Sequence, residues 1–193
     1  ILNNYSKQPF SEKENLILTD KIKPRDSYFL SKIFGEKYVK LSGMSYLILR
    51  PHNIYGPRMG FSHVIPELIK KFSLEKNKKK LNTIVFSPNH KRAFCYIDDA
   101  IAQIKKLTFT KRSDNKIFNI GNMEKEITMF NLAIKLKNLI YVKSKIKKGK
   151  VTLGSPSRRI PDMNNTLKVT KVKKFTSLND GLKKTVNWYL KNK

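Results

Sequence analysis

A single cysteine, Cys95, stands in 193 residues, so the chain has neither an internal disulfide framework nor a cysteine-rich zinc site. No apolar run approaches the roughly 20 residues that a membrane-spanning helix needs. The eight glycines lie too far apart to build a G-x-G-x-x-G or G-x-x-G-x-x-G turn anywhere. His52, His63 and His90 are scattered without metal-ligand spacing, so no metal is expected. The opening residues, ILNNYSKQPF, show no charged-then-apolar signal pattern. These absences point to a cytoplasmic chain with no membrane partner.

Carboxylates are also scarce. Fourteen Asp and Glu face 41 Lys and Arg, a formal charge of +27. Such a balance raises the question of nucleic acid. Two features argue against it. Lysine far outnumbers arginine, whereas base and phosphate readers favour the arginine fork. The lysines are also spread over KKFSLEKNKKK, KLKNLIYVKSKIKKGK and KVTKVKKF instead of forming one tail. A solvated, lysine-biased surface is the simpler reading, and its field still attracts anionic ligands. With 39% hydrophobic residues the length suits one core-bearing domain with a small annex.

Strands and helices alternate, which predicts an α/β fold. Residues 1–25 read as loop, with Pro24 disfavouring helix at Lys23. A helix follows, capped at Asp26 or Ser27 and closed by Gly43. SYLILR (45–50) has the length of a buried parallel strand, and PHNIYGPRMG is a loop. VIPELIKKFSL (64–74) is helical, with Pro66 in its first turn. NTIVFSP is a second strand. RAFCYIDDAIAQIKKLTF starts extended and turns helical near Asp98 or Asp99, either a good cap. KIFNIGN is a third strand. ITMFNLAIKLKNLI is an amphipathic helix capped by Thr128. KVTLGS is a possible last strand, and SLNDGLKKTVNWYLKNK a terminal helix. Cys95 reads as a core thiol and Trp188 as packing.

Within SYFLSKIFGEKYVKLSG, Tyr28 and Lys32 sit four positions apart, on one helix face. A phenol is a poor base at neutral pH, and a nearby ammonium favours phenolate. The pair therefore suits general acid/base work. A chance Tyr and Lys on a lysine-rich surface would look the same, because Y-x-x-x-K is a weak pattern. Asn53, after a strand, could equally be a turn residue bonding its own backbone. Arg92 and Arg159 could be surface arginines. Asp162 could cap the helix starting at MNNTLKV, and Pro51 could simply open a loop.

The ordered set of motifs is more specific than any one of them. KPRDSYFLSKIFGEKYV resembles the active-site helix of the extended short-chain dehydrogenase/reductases, P-x-x-x-Y-x-x-S-K-x-x-x-E, with Pro24, Tyr28, Ser31, Lys32 and Glu36 in place. LRPHNIYGPRM resembles R-P-x-N-x-Y-G-P, and RAFCYIDDAI resembles R-x-F-x-Y-V-x-D. FNIGN, RRIPDM and GLKKTVNWY match later segments, in family order, over about residues 20–193. The chain thus resembles the NAD-dependent nucleotide-sugar epimerases and dehydratases.

The resemblance implies the later strands of a Rossmann-type parallel sheet plus a smaller α/β substrate-binding part. Residues 1–55 and parts of 80–125 would form the first, and 56–80 with 126–193 the second. It implies NAD, in preference to NADP, as cofactor and a nucleotide-diphosphate sugar as substrate. Tyr28 would be the catalytic acid/base. Lys32 would hold the nicotinamide ribose, and Pro51 would lie beside the nicotinamide. Asn53, Arg92, Arg159 and Asp162 would bind substrate. A homodimer through the tyrosine-bearing helix would be expected of the full-length protein.

The front of the chain departs from the pattern. The glycine-rich turn that carries the NAD pyrophosphate at a helix N-terminus has no counterpart here. If Tyr5 corresponds to the family's V-Y-G-like segment, the usual Ser/Thr partner of the tyrosine falls at or before Ile1, and Ser6 is no convincing substitute. We therefore expect a C-terminal fragment that begins at Ile1 and is inactive alone. The alternative expectation is an inactive remnant serving as a basic nucleic-acid-binding or interaction protein.

Overall fold

The computed structural model of the chain describes residues 8–14, 26–76 and 82–192. Pro24, Tyr5 and Ser6 lie outside them. Helix α1 (Asp26–Leu41) leads into strand β1 (Leu47–Pro51), the two-residue β2 (Ile54–Tyr55) and α2 (Val64–Glu75). Strands β3 (Asn82–Val85), β4 (Lys91–Ala93) and β5 (Cys95–Tyr96) precede α3 (Ile97–Thr108). Then come β6 (Lys116–Ile120), β7 (Glu126–Thr128), α4 (Met129–Ile140), β8 (Lys145–Lys148) and β9 (Arg158–Arg159). Helices α5 (Asn164–Thr170) and α6 (Leu178–Lys191) close the described chain.

Parallel pairing dominates, as the α/β expectation requires. Among the described residues β1 runs parallel to β6, β2 to β5, β3 to β8, and β4 to β9, while β4 and β7 are antiparallel. Two cores result. The smaller contains Cys95, Ala100, Leu107, Phe118 and Ile120, and α3 lays its buried Ala100 and Leu107 into it. Gln103 belongs to the same face. Its amide nitrogen donates to the Gly121 carbonyl (2.9 Å) and its oxygen accepts from the Gly121 N–H (3.2 Å). This amide pairing fixes the end of β6 against α3 by satisfying a buried backbone. The larger core gathers Tyr55, Phe72, Leu132, Leu136, Ile140, Leu182 and Val186 from β2, α2, α4 and α6. Gly181 is required there, because a Cβ would overlap the Tyr55 hydroxyl.

Several local expectations are met. Thr128 accepts from the Asn131 N–H at 3.1 Å and caps α4. Gly43 ends α1's trailing turn at φ +73°. Cys95 is fully buried in the smaller core, and burial raises its thiol pKa to about 12. Trp188 packs edge-on against Tyr189 at the border of the larger core.

Three expectations are corrected. KVTLGS is not a strand: β8, KIKK, lies just before it and pairs with β3, and the last described strand is β9. The exposed lysines of β8 alternate too weakly with Ile146 to read as a strand. The loop after β1 contains β2, whose two residues pair with β5. The cap of α3 is the backbone of Tyr96, with Asp98 and Asp99 inside the first turn. Asp99 instead anchors Thr176, accepting from its N–H (2.8 Å) and its hydroxyl (3.1 Å).

Candidate functional site

Helix α1 buries none of its residues. Tyr28 is 70% exposed, and Lys32 Nζ lies 5.3 Å from the centre of its ring. The i, i+4 spacing has therefore brought phenol and ammonium together on an open face. Ser31 donates to the Tyr28 carbonyl at 2.8 Å and so stays within the helix. What ties α1 down is Glu36. Its carboxylate receives both Nε (2.8 Å) and an Nη (2.7 Å) of the buried Arg50, a bidentate pair. Arg50 immediately precedes Pro51, so this pair couples the tyrosine helix to the end of β1.

Pro51 ends β1 and is exposed. Asn53 follows in the left-handed region, φ +46°, which asparagine tolerates. Its amide does not bond its own backbone. It donates across the site to the Ala93 carbonyl (2.9 Å) and the Arg159 carbonyl (3.4 Å). Arg92 and Arg159 are register partners on β4 and β9. The structure thus brings Asn53, Arg92 and Arg159 into one cluster from segments 106 residues apart. The Arg92 guanidinium is buried, and burial, with Arg159 beside it, lowers its pKa to about 10. It remains charged at neutral pH. It donates to the Lys91 carbonyl (2.7 Å), the Pro156 carbonyl (2.8 Å) and Ser155 Oγ (3.0 Å). These bonds make the 155–157 loop a cover over Arg92.

Asp162 lies three residues beyond Arg159. Its carboxylate accepts from the Asn164 N–H at 2.9 Å at the start of α5. Its backbone N–H donates to the Phe10 carbonyl at 2.9 Å. The bond to Asn164 is a local turn one residue ahead of the α5 cap, which is Met163 and has no side-chain cap bond.

Sequence reasoning passed over a buried polar node beside these residues. His52 and Asn119 meet at 2.9 Å, Nε2 to Oδ1. The Asn119 amide nitrogen donates to the Phe10 carbonyl (2.9 Å) and the Asp162 carbonyl (3.0 Å). Its oxygen must therefore face His52, and His52 carries its proton on Nε2. The Asn119 N–H donates to Glu12 Oε1 at 3.0 Å, and Thr166 donates to the Asn119 carbonyl at 2.6 Å. Burial first, then Arg159 and Arg50, push the His52 pKa down to about 4. FNIGN was a signal for Asn119; nothing local marked His52. Among the described residues no group of three or more His, Cys, Asp or Glu is placed to hold a metal.

The profile of the NAD dependent epimerase/dehydratase family matches residues 3–121. The chain belongs to that family. GDP-L-fucose synthase 1 of Arabidopsis thaliana is 28% identical over the whole chain and 61% of its own length. A putative UDP-glucose 4-epimerase of Methanocaldococcus jannaschii is 32% identical over 89% of the chain and 55% of its own length. The UDP-glucuronic acid 4-epimerase of Bacillus cereus, solved with UDP-glucuronic acid and NAD, superposes with a TM-score of 0.76. It is 23% identical, and the match covers 94% of this chain and 58% of that one. That structural likeness establishes the shared Rossmann-type α/β fold. The chain spans between about half and three-fifths of the length of these relatives.

Proposed function

We propose that the chain carries the acid/base and substrate half of an NAD-dependent nucleotide-sugar epimerase or dehydratase. The observation that supports this best is the pairing of Tyr28 and Lys32 on an open helix face, coupled through Glu36–Arg50 to Pro51. In this reading Tyr28 Oη takes the proton from a sugar hydroxyl and returns it. Lys32 orients the nicotinamide ribose, and Pro51 lies beside the nicotinamide. NAD, when bound, supplies the hydride acceptor and donor. A phenol and an ammonium one turn apart fit a ribose diol as donors. The pyrophosphate end has no matching glycine-rich turn in this sequence. Turnover therefore requires that turn from elsewhere, and the chain by itself is inactive.

Asn53, Arg92, Arg159 and Asp162 hold the nucleotide-sugar in this reading. Arg159, and Arg92 once the 155–157 loop lifts off it, would supply the charge-assisted donors a diphosphate needs. The two cores support dividing the chain into a dinucleotide part and a substrate part. A homodimer through α1 agrees with its exposed Phe34, Tyr38 and Leu41.

The test has two parts. Calorimetric titration with UDP-glucose, UDP and GDP-mannose should show binding of nucleotide diphosphates by the 193-residue chain. Absence of any binding would count against the substrate assignment. Fusing a glycine-rich dinucleotide-binding half from a relative should restore sugar conversion with added NAD. Tyr28→Phe should then lower the rate by about two orders of magnitude or more, with nucleotide binding retained.

A further inference from the structure

The outer face of the β3–β8 pair is exposed, and its side chains sort into two ends. Register sets Asn82 against Lys145 and Ile84 against Lys147. The chain then continues alongside residues 85–87. The Gly149 N–H donates to the Val85 carbonyl (2.9 Å), the Ser87 N–H to the Lys150 carbonyl (3.0 Å), and the Thr152 N–H to Ser87 Oγ (2.9 Å). Alternation aims Ile84 and Phe86 the same way, and Val151 lies exposed two residues beyond Gly149 on the extension. Gly149 opens the space beside Ile84 and Phe86, since a Cβ there would lie 2.6 Å from Ile84 Cγ2 and 3.2 Å from Phe86 Cδ1. A turn follows, closed by the Ser155 N–H donating to the Thr152 carbonyl at 3.1 Å, with Gly154 at φ +74°. It projects Leu153 fully into solvent. Ile84 is 46% exposed, Phe86 53%, Val151 66% and Leu153 101%.

The other end of the face is cationic. Lys143, Lys145 and Lys147 are exposed along the same strand and the residues before it. No Asp or Glu occurs between Glu126 and Asp162, or between Glu75 and Asp98. Of the flanking carboxylates, Glu75 accepts from the buried Thr83 hydroxyl and Glu126 is paired with Arg158. The charge along this face is therefore predominantly positive.

We propose that this face docks on an anionic lipid bilayer, with Ile84, Phe86, Val151 and Leu153 entering the acyl boundary and the lysines meeting the headgroups. Lysines alone would suffice to keep a sheet edge from pairing. They do not account for four exposed apolar side chains beside them, which cost solubility. Three of those four are aliphatic and cannot stack on bases, and no arginine stands among them, which disfavours nucleic acid. An apolar tip flanked by lysines matches the combined apolar and electrostatic binding of interfacial proteins. Among the described residues no helix is long and apolar enough to cross a membrane, and lying on one requires none.

Vesicle co-sedimentation tests this with the full chain. Vesicles of phosphatidylcholine mixed with phosphatidylglycerol should carry the protein down at physiological salt, and phosphatidylcholine alone should not. Val151→Ser with Leu153→Ser, and separately Lys145→Ser with Lys147→Ser, should each reduce partitioning on the order of tenfold. Lys183→Ser with Lys184→Ser removes the same charge from α6 and should change it by about twofold at most. In Leu153→Trp, emission should shift to the blue and be quenched by brominated acyl chains. Equal loss in the α6 variant, no loss in the apolar variant, or an unshifted tryptophan each overturns the proposal. So does binding of a single-stranded oligonucleotide that depends on Val151 and Leu153 as vesicle binding does.

Discussion

His52 illustrates how one buried side chain can report on folding. Burial first, then the arginines nearby, keep it neutral until about pH 4, against an ordinary value of 6.5, while the Asn119 bond works the other way. The unfolded chain takes up a proton as pH falls through 6.5; the folded chain resists it down to about 4. Stability attached to this group is thus complete above pH 6.5 and lost as pH falls toward 4. At about 1.4 kcal/mol per pKa unit, the loss amounts to a few kcal/mol. His90, lowered by burial and by Arg92, adds to it with the same sign. Urea denaturation at pH 7 and pH 4.5 should show the drop in wild type and a smaller drop in His52→Gln. An unchanged drop would mean that His52 does not carry it.

Among the elements, α1 is the least secured. Its sixteen residues bury no side chain, and Glu36 is its tie to Arg50. Removing one partner of a buried pair leaves the other charge uncompensated, which costs about 3–5 kcal/mol. Arg50 also donates to the Glu12 carbonyl at 3.2 Å, so part of its bonding survives. Glu36→Ala should therefore cost less than that range overall, yet release α1 selectively. Hydrogen exchange should show faster exchange across residues 26–41, with α4 and α6 protected as before. Uniform acceleration over all helices would place the role of Glu36 in global stability instead.

At the scale of the whole molecule, a formal charge of +27 acts against folding. The described ion pairs, Glu36–Arg50, Glu67–Lys71 and Glu126–Arg158, offset little of it. Two of the three lie at the surface, where each is worth at most about 1 kcal/mol. Screening should then help the repulsion more than it harms the pairs. The thermal midpoint should rise as salt increases from low ionic strength toward 0.15 M, where the Debye length falls to about 8 Å. A midpoint that falls with salt would show that the ion pairs outweigh the repulsion.

Most helices and several of their ends were legible because their signals are local. Thr128 as a cap, Pro66 in the first turn of α2 and Gly43 after α1 act within a few residues of chain. The motif order was legible for the same reason, as was the adjacency of Tyr28 and Lys32, which one helical turn enforces. The two-residue strands were not legible, because β2 and β9 exist through partners far away in the chain. Strand β8 was hidden by lysines that a solvent-facing edge allows. The meeting of Asn53 with Ala93 and Arg159, the cover of the 155–157 loop over Arg92, and the His52–Asn119 node were decided by tertiary structure alone. In each, a buried polar group must find its partner wherever the fold supplies one. Sequence by itself determined which chemistry the side chains carry; packing determined which of them face one another.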